Sequence, residues 1–422
     1  MACLDGTFVP GTKVPSGQEE VSLRKERRPS RTREHARLLE AASRIRVPEA
    51  TDVCIVGGGA AGLVAAIVAA ENGSRVVTLD ADLECGRTIL ATGNGRCNFT
   101  NVGLDSARYN QPEFVRNVVG QSWLGDVLAF FHDCGLAWEE EAEGRVYPLS
   151  RQAASVRSVL LGRATRAGVI LAPARSVRSV RQADGGFEVA YEEAFDAQTR
   201  RVLQSRTVVM AVGGGTDLCE NIGLPMTPYL PVLCPLGCEG PLLAELDGRR
   251  VRVEARLIRA GVEVLSERGE VLFRRYGLSG IVVFNLSRYA RPGDELVLDL
   301  LPTMKLAEAH ELGLHTLDGL LDPVIAQALT KLEGSWEGAL TRTKALTYRI
   351  IGPADTAHAQ VSRGGLDVRT FNPATLEAQS KPGLFACGEA LDVDGPCGGF
   401  NLAWAWKSGM VAGAAAAKET SR

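Results

Sequence analysis

The stretch DVCIVGGGAAGLVAAIVAA, residues 52–70, carries one charge, on Asp52, and is otherwise apolar or glycine. Its length is close to that of a membrane-spanning helix. Its composition changes at the glycines, however, from a segment rich in β-branched residues to one rich in alanine. This change indicates a short buried strand, a tight turn and a helix, rather than one helix that crosses a bilayer.

The glycines follow the spacing G-x-G-x-x-G, at Gly57, Gly59 and Gly62. The first glycine permits the turn, the second lets a pyrophosphate approach the backbone, and the third lets the helix pack on the strand. A second strand-like segment, SRVVTLD, follows and ends at Asp80. A carboxylate at this place can accept hydrogen bonds from ribose hydroxyls. The unit therefore predicts a dinucleotide site, and both NAD and FAD would fit it.

The composition is that of an ordinary globular protein, with 422 residues of which 45% are hydrophobic. The length favours two or three domains. The formal net charge of −3 does not indicate a nucleic-acid or membrane partner. Ten scattered cysteines form no C-x-x-C pair and no Cys/His cluster, so we expect free thiols and no metal site. With no secretory signal visible, we expect a cytoplasmic protein.

Residues 1–49 differ from the rest because they are rich in arginine and poor in large apolar residues. We expect a basic extension that is disordered or weakly helical. A targeting peptide and an RNA-contacting arm are the alternatives, but several glutamates argue against a transit peptide, which is usually poor in acids.

Two further segments favour FAD. The loop ECGRTILATGNGRCNFTN, residues 84–101, is dense in Gly, Asn and Arg, and suits a long ligand that lies across several backbone amides. The segment GLFACGEALDVDGPCGGFNLAWAWKSGMVAG, residues 383–413, reads as a strand, a turn and a helix whose amino terminus can face a flavin. A third strand, SRTVVMAVGGG, stops at glycines and no second G-x-G-x-x-G unit follows it. NAD(P)H would then dock only transiently.

Together with RYGLSG at 275–280 and AQVSRGGL at 359–366, these motifs resemble the BaiN-like or YhiN-like NAD(P)/FAD-dependent oxidoreductases, also called the aminoacetone oxidase family. The resemblance covers residues 50–415. It implies an α/β protein whose three-layer, Rossmann-like FAD-binding domain carries an inserted β-barrel-like domain and a small helical insert. The expected ranges are 50–227 and 351–422 for the FAD-binding domain, 228–300 for the β-rich insert and 301–350 for the helical insert.

The resemblance also implies the residues that surround FAD, with Asp80 at the ribose, Val177 at the adenine and Glu389 at the flavin end. The full set that we expect is Gly57, Gly59, Ala60, Ala61, Gly62, Asp80, Arg87, Asn94, Arg96, Cys97, Asn98, Val177, Gly388, Glu389, Asp392, Gly398, Gly399 and Asn401. The chain departs from the family pattern after VGGG, where TDLCENIGLPMTP takes a shorter route, and in its short helical insert. Both departures concern the walls of the substrate site.

The activity implied by the resemblance is reduction of an activated carbon–carbon double bond in a hydrophobic, steroid- or bile-acid-like substrate, driven by NAD(P)H. No residue identifies itself as the proton donor, for which Tyr276 and His358 are weak candidates. A flavin oxidase or a thiol-linked flavoenzyme is the alternative, because Cys97 and Cys397 lie inside the cofactor motifs. A flavin-bearing RNA-associated protein is a third hypothesis, which the near-neutral charge opposes. The oligomeric state stays open.

Overall fold

The computed structural model describes residues 31–214 and 217–420. In chain order its strands are β1 Ala50–Val56, β2 Val76–Leu79, β3 Thr100–Asn101, β4 Trp138–Glu140, β5 Arg145–Pro148, β6 Ile170–Ala172, β7 Arg175–Ala183, β8 Gly186–Glu193, β9 Asp196–Met210, β10 Met226–Val232, β11 Leu236–Glu239, β12 Arg250–Arg259, β13 Val262–Arg274, β14 Gly277–Ser279, β15 Glu295–Asp299, β16 Leu346–Pro353, β17 Val361–Leu366 and β18 Leu384–Ala386. Its α-helices are α1 Arg31–Ser43, α2 Ala60–Glu71, α3 Pro112–Val119, α4 Trp123–Asp133, α5 Ala153–Arg166, α6 Asp217–Glu220, α7 Ile281–Ser287, α8 Leu306–Glu311, α9 Pro323–Glu333, α10 Trp336–Thr343 and α11 Phe400–Thr420.

A seven-stranded sheet forms the Rossmann domain, in the order β6-β2-β1-β9-β8-β7 with β18 beside β9. Strand β1 pairs in parallel with β2 and with β9, and β18 pairs in parallel with β9. Strand β1 is buried because its residues from Val53 to Val56 are apolar and parallel strands are covered on both faces. The predicted α/β class with a Rossmann-like domain is therefore confirmed.

The last helix of the chain packs tightly on the first helix of the Rossmann domain. A Cβ atom at Gly409 would lie 2.5 Å from the carbonyl oxygen of Ala61, and one at Gly413 would lie 2.4 Å from that of Ala65. Glycine at these two positions lets α11 and α2 approach each other closely. Segments from the two ends of the described chain thus build one domain.

The predicted β-rich insert is a closed antiparallel barrel, in the order β11-β14-β13-β12-β15-β16. Apolar residues alternate along its strands, and Val253, Ala255 and Leu257 of β12 all point into its core. Helices α8 to α10 lie in the chain between β15 and β16 and pack on the same core through residues such as Leu329 and Leu340. The expected domain boundary at residue 350 falls inside β16, because LTYRIIGP closes the barrel.

A buried carboxylate joins the barrel to the Rossmann domain. Asp394 is fully buried and accepts hydrogen bonds from Arg288 Nε at 2.6 Å and from Arg363 Nε at 2.7 Å. Arg288 directly follows α7, which packs on the barrel, whereas Asp394 precedes α11. Asn110 also accepts a hydrogen bond from the Asp394 amide at 2.8 Å. We call Arg288, Arg363 and Asp394 the junction cluster.

The part of the expected extension that the structure describes, residues 31–49, begins with helix α1. The buried Arg175 side chain donates hydrogen bonds to the carbonyl oxygens of Ala42 and Ile45, which lie at the end of this helix and just beyond it. Residues 1–30 of the extension lie outside the described residues. Across 31–214 and 217–420, none of the helices combines the length and apolar character that crossing a bilayer requires.

Candidate functional site

A cleft of about 3130 Å³ runs from the glycine turn after β1 to the inner face of the barrel domain. Ligand pockets commonly measure roughly 300–1,000 Å³, so this cleft has room for a long cofactor and a second molecule. It opens at the carboxyl ends of the parallel strands, where open α/β sheets bind their ligands.

The glycine turn has the geometry that its spacing predicts. Gly57 has a φ of +103°, and a Cβ there would lie 2.5 Å from the Ala211 carbonyl oxygen. A Cβ at Gly62 would lie 1.9 Å from the Gly57 carbonyl oxygen. Gly59 lines the cleft, and the nearest atom to a Cβ added there is a side-chain atom, Thr88 Oγ1 at 3.4 Å, rather than backbone. The turn is closed toward the protein and open toward the cleft, as a phosphate cradle requires.

Asp80 lies at the end of β2 beside this turn. Its Oδ2 accepts a hydrogen bond from the Gly58 amide, and its Oδ1 accepts one from the Asp82 amide, both at 3.0 Å. Burial raises the pKa of the Asp80 carboxyl to about 6, although the two amide bonds oppose the shift. Asp80 also lines the cleft, as do Ala60, Ala61 and Val177 of the expected set.

The loop of residues 84–101 brings to the cleft a polar group that has no hydrogen-bond partner among the described residues. Asn98 is 9% exposed, and its Oδ1 accepts no hydrogen bond from the residues that the structure describes. A buried amide oxygen without a partner is costly, so this atom is suited to a ligand that donates to it. Arg87, Asn94 and Arg96 also line the cleft, whereas Cys97 is fully buried beside it.

The carboxyl-terminal motif contributes Gly388, Glu389, Gly398, Gly399 and Asn401 to the cleft wall. Glu389 accepts a hydrogen bond from the Ser362 amide at 2.5 Å, and burial raises the pKa of its carboxyl. The Asn401 amide group bonds the backbone of Gly395, donating to its oxygen and accepting from its nitrogen, and so shapes the loop before α11.

Asp392 is one of three members of the expected cofactor set, with Gly62 and Cys97, that do not line the cleft. Its Oδ1 accepts hydrogen bonds from Asn110 Nδ2 at 2.9 Å and from the Gly364 amide at 3.2 Å. Asp392 is buried and does not line the cleft. Its carboxylate therefore orders the loops around the site.

The three expected catalytic candidates, Tyr276, His358 and Cys397, differ in their relation to the cleft. Tyr276 is 41% exposed in the turn between β13 and β14 and does not line the cleft. His358 ends a short 3-10 helix, Thr356–His358, and its side chain lies outside the described part of the structure. Cys397 does line the cleft, but burial raises the pKa of its thiol to about 12, against the weaker effect of Arg288. The thiolate that thiol chemistry needs is thus strongly disfavoured near neutral pH.

The barrel-side wall of the cleft contains residues that the sequence did not indicate as site residues. Glu267 of β13, Asn285 of α7 and Arg288 all line it. These residues carry no motif spacing, and they meet the cofactor motifs only because the junction cluster holds the barrel against the Rossmann domain. Within the described ranges, His, Cys, Asp and Glu side chains form no cluster that could hold a metal ion.

Residues 51–415 match the family model of the HI0933-like protein Rossmann domain. A 3-dehydro-bile acid delta(4,6)-reductase of Clostridium scindens is 33% identical over 405 residues, which are 86% of this chain and 98% of that protein. A ribosomal RNA dihydrouridine synthase of Escherichia coli is 30% identical over 398 residues, 85% of this chain and 96% of that protein. The Haemophilus influenzae protein with the same name is 25% identical over 390 residues, 84% of this chain and 95% of that protein.

Proposed function

Because the chain belongs to the HI0933-like Rossmann family, we propose that it binds FAD and uses it to reduce an activated carbon–carbon double bond. The observation that carries this proposal is the continuity of the cleft. An open phosphate cradle at Gly59 leads past the unpartnered Asn98 oxygen to free space below the barrel. The protein is a flavin-dependent oxidoreductase. The alignment with the bile acid reductase covers 98% of that relative's length.

The residues present fit FAD. The glycine turn would hold the pyrophosphate, Asp80 the adenosine ribose, and the backbone around Val177 the adenine. The Asn98 oxygen and the Gly398–Gly399 turn before α11 would contact the flavin end. When bound, the flavin supplies hydride chemistry, and the chain must bind the substrate, orient it, exclude water and provide a proton.

For the electron donor, we propose NADH or NADPH that docks transiently in the same cleft, in the cytoplasm. Anaerobic addition of each nucleotide to the purified holoenzyme should bleach the flavin band near roughly 450 nm with at least one of them. Bleaching by neither nucleotide would contradict this donor, and a chain that cannot be reconstituted with FAD would contradict the cofactor.

For the substrate, we propose a small hydrophobic enone such as a 3-oxo-4-ene steroid. The relative from Clostridium scindens is named as a bile acid reductase, which supports this class. The charges on the barrel wall support it too, because two arginines that line the cleft are neutralised by glutamates. Arg250 pairs with Glu270, and Arg268 pairs with Glu254 at 2.7 Å.

Uridine in RNA is the second candidate, favoured by the two relatives that are named ribosomal RNA dihydrouridine synthases. The double bond that such an enzyme reduces is also conjugated to a carbonyl group, so the same site would serve. The reduced holoenzyme should be mixed with an enone bile acid and, separately, with unmodified ribosomal RNA. Faster reoxidation by RNA, with an affinity that falls steeply with salt, would favour this second substrate.

We predict that the affinity of the apoprotein for FAD falls at acid pH because of Asp80. The ribose hydroxyls need the ionised carboxylate, whereas the pKa of about 6 lies above the ordinary value of 3.8. Between pH 8 and pH 5 the dissociation constant should therefore rise up to about tenfold. Fluorescence titration of deflavinated protein with FAD measures this change.

Asp80→Asn should bind FAD weakly at both pH values and lose most of this pH dependence. Asp133→Asn, which changes an exposed carboxylate on α4, should keep it. The contribution of Asp80 to the folding stability of the apoprotein changes with pH in the opposite direction to its contribution to FAD affinity. The raised pKa favours the neutral carboxyl in the folded apoprotein, so its contribution is full below about pH 3.8 and is lost as the pH rises through about 6. If the affinity of Asp80→Asn for FAD kept the wild-type pH dependence, the role of Asp80 would be contradicted.

A further inference from the structure

One acidic side chain of the barrel domain reaches the cleft without being used in the binding of FAD described above. Glu267 lies on β13, is half-buried and lines the cleft. Its Oε2 accepts a hydrogen bond from Asn285 Nδ2 at 3.3 Å. The other end of the same amide, Asn285 Oδ1, accepts a hydrogen bond from the Cys397 backbone amide at 2.9 Å. A single asparagine therefore connects Glu267 to the loop that enters the Gly398–Gly399 turn.

This connection places Glu267 at the substrate end of the cleft. The Gly398–Gly399 turn precedes α11, whose amino terminus is the part of the carboxyl-terminal motif suited to a flavin. Glu267 approaches this region from the opposite wall, on the barrel. A flat substrate that enters between the two domains would have the cofactor on one side and the Glu267 carboxyl within reach on the other.

The surroundings of Glu267 raise the pKa of its carboxyl above the ordinary value. Burial is the largest influence and raises the pKa of the carboxyl, while Asn285, Arg108 and Arg288 lower it by less. The other titratable group that faces it is the Cys397 thiol, whose own pKa burial raises. Arg288 is engaged by Asp394, and among the described residues no lysine or arginine forms an ion pair with Glu267. A raised pKa brings a carboxyl closer to the range in which general acids donate protons near neutral pH.

We propose that Glu267 is the general acid that protonates the substrate as its double bond is reduced. This proposal rests on the proposed function. Reduction would break the π bond and form two C–H bonds. The Glu267 carboxyl would supply the proton to one carbon, and the hydride with its two electrons, for the other carbon, is the chemistry that bound reduced flavin would supply. The Glu267 carboxylate then recovers its proton from water. Asn285 is a positioning residue, because it holds the carboxyl against the flavin-side loop.

The experiment compares wild-type holoenzyme with Glu267→Gln, which keeps a side-chain oxygen for Asn285 but has no acidic proton. Glu263→Gln is the matched control, since Glu263 lies exposed on the same strand. Each protein is reduced with dithionite without oxygen and mixed with a 3-oxo-4,6-diene bile acid, while flavin reoxidation is followed by stopped flow. We expect reoxidation of Glu267→Gln to be about 100-fold slower or more, with Glu263→Gln like the wild type.

A second readout does not depend on turnover. Infrared difference spectra across a pH titration should contain, beside the bands of Asp80 and Glu389, whose carboxyl pKa values burial also raises, a further band of a protonated carboxyl that persists above the ordinary glutamate range. This further band should be present in the wild type and in Glu263→Gln, and absent from Glu267→Gln.

The experiments distinguish failure of the Glu267 proposal from failure of the proposed function. Reoxidation of Glu267→Gln at the wild-type rate, or survival of that further carboxyl band in Glu267→Gln, would overturn the role of Glu267 alone. A wild-type enzyme that binds FAD but is reoxidised by neither the bile acid nor RNA would contradict the proposed function, and the infrared signal would still decide whether Glu267 is held protonated.

Discussion

Gly62→Ala is expected to abolish retention of FAD and to destabilise the Rossmann domain by about 3 kcal/mol, at the upper end for overpacking. The added Cβ would lie 1.9 Å from the Gly57 carbonyl oxygen and 3.2 Å from Ala211 Cβ. Because the first of these neighbours is backbone, no side-chain rotation relieves the overlap. Either α2 must move away from β1 or the glycine turn must open, and both changes would disrupt the phosphate cradle.

Gly125→Ala is the matched control, because Gly125 also lies within a helix, α4, and has no atom within 4 Å of an added Cβ. There the substitution should stabilise the protein by about 0.5–1 kcal/mol, since alanine favours helix more than glycine does. Flavin absorbance after gel filtration and urea unfolding measure the two effects. Gly62→Ala protein that keeps a full complement of FAD would show that the close contact between helix and turn is dispensable.

Asp394→Ala is expected to cost about 3–5 kcal/mol, the range for removing one partner from a buried ion pair. The substitution leaves Arg288, whose side chain is 3% exposed, without its carboxylate. It also removes the carboxylate to which Arg363 donates two hydrogen bonds. Since this cluster joins the barrel to the Rossmann domain, we also expect the barrel wall to lose its position over the cleft and the substrate KM to rise.

Glu40→Ala is the control for Asp394→Ala, because Glu40 also pairs with an arginine but both side chains of that pair are largely exposed. Its removal should change the free energy of unfolding by less than about 1 kcal/mol. Urea unfolding followed by tryptophan fluorescence gives both values. Equal stabilities for the two variants would contradict a structural role for the junction cluster.

The Rossmann unit and the family could be predicted because their signals are local. The strand, glycine turn, helix and Asp80 follow one another within about thirty residues, and each type of residue is required by the turn or the ligand. The barrel was expected from alternating segments such as RVRVEARLI, which form β12. Both the family and the fold class are confirmed.

The barrel-side residues were not predictable in this way. Glu267 lies in the segment SERGEV, where nothing distinguishes it from Glu270, which pairs with Arg250. Only the fold separates the two, by turning one carboxyl toward Asn285. The contacts of Asp392 could not be read from the sequence for a related reason. Its carboxylate is used by Asn110, 282 residues away in the chain, and such distant contacts leave no spacing to read.

The packing of α11 on α2 has a consequence for biosynthesis. These helices are separated by more than three hundred residues, so at about 5–20 residues per second the ribosome needs roughly 20 to 70 s to add the second after the first. The barrel, whose strands and helices are contiguous in the chain, can fold during that interval. The FAD site cannot be completed until α11 and the Gly398–Gly399 turn before it have left the ribosome. Chains that stop before α11 should therefore yield colourless protein that contains a folded barrel.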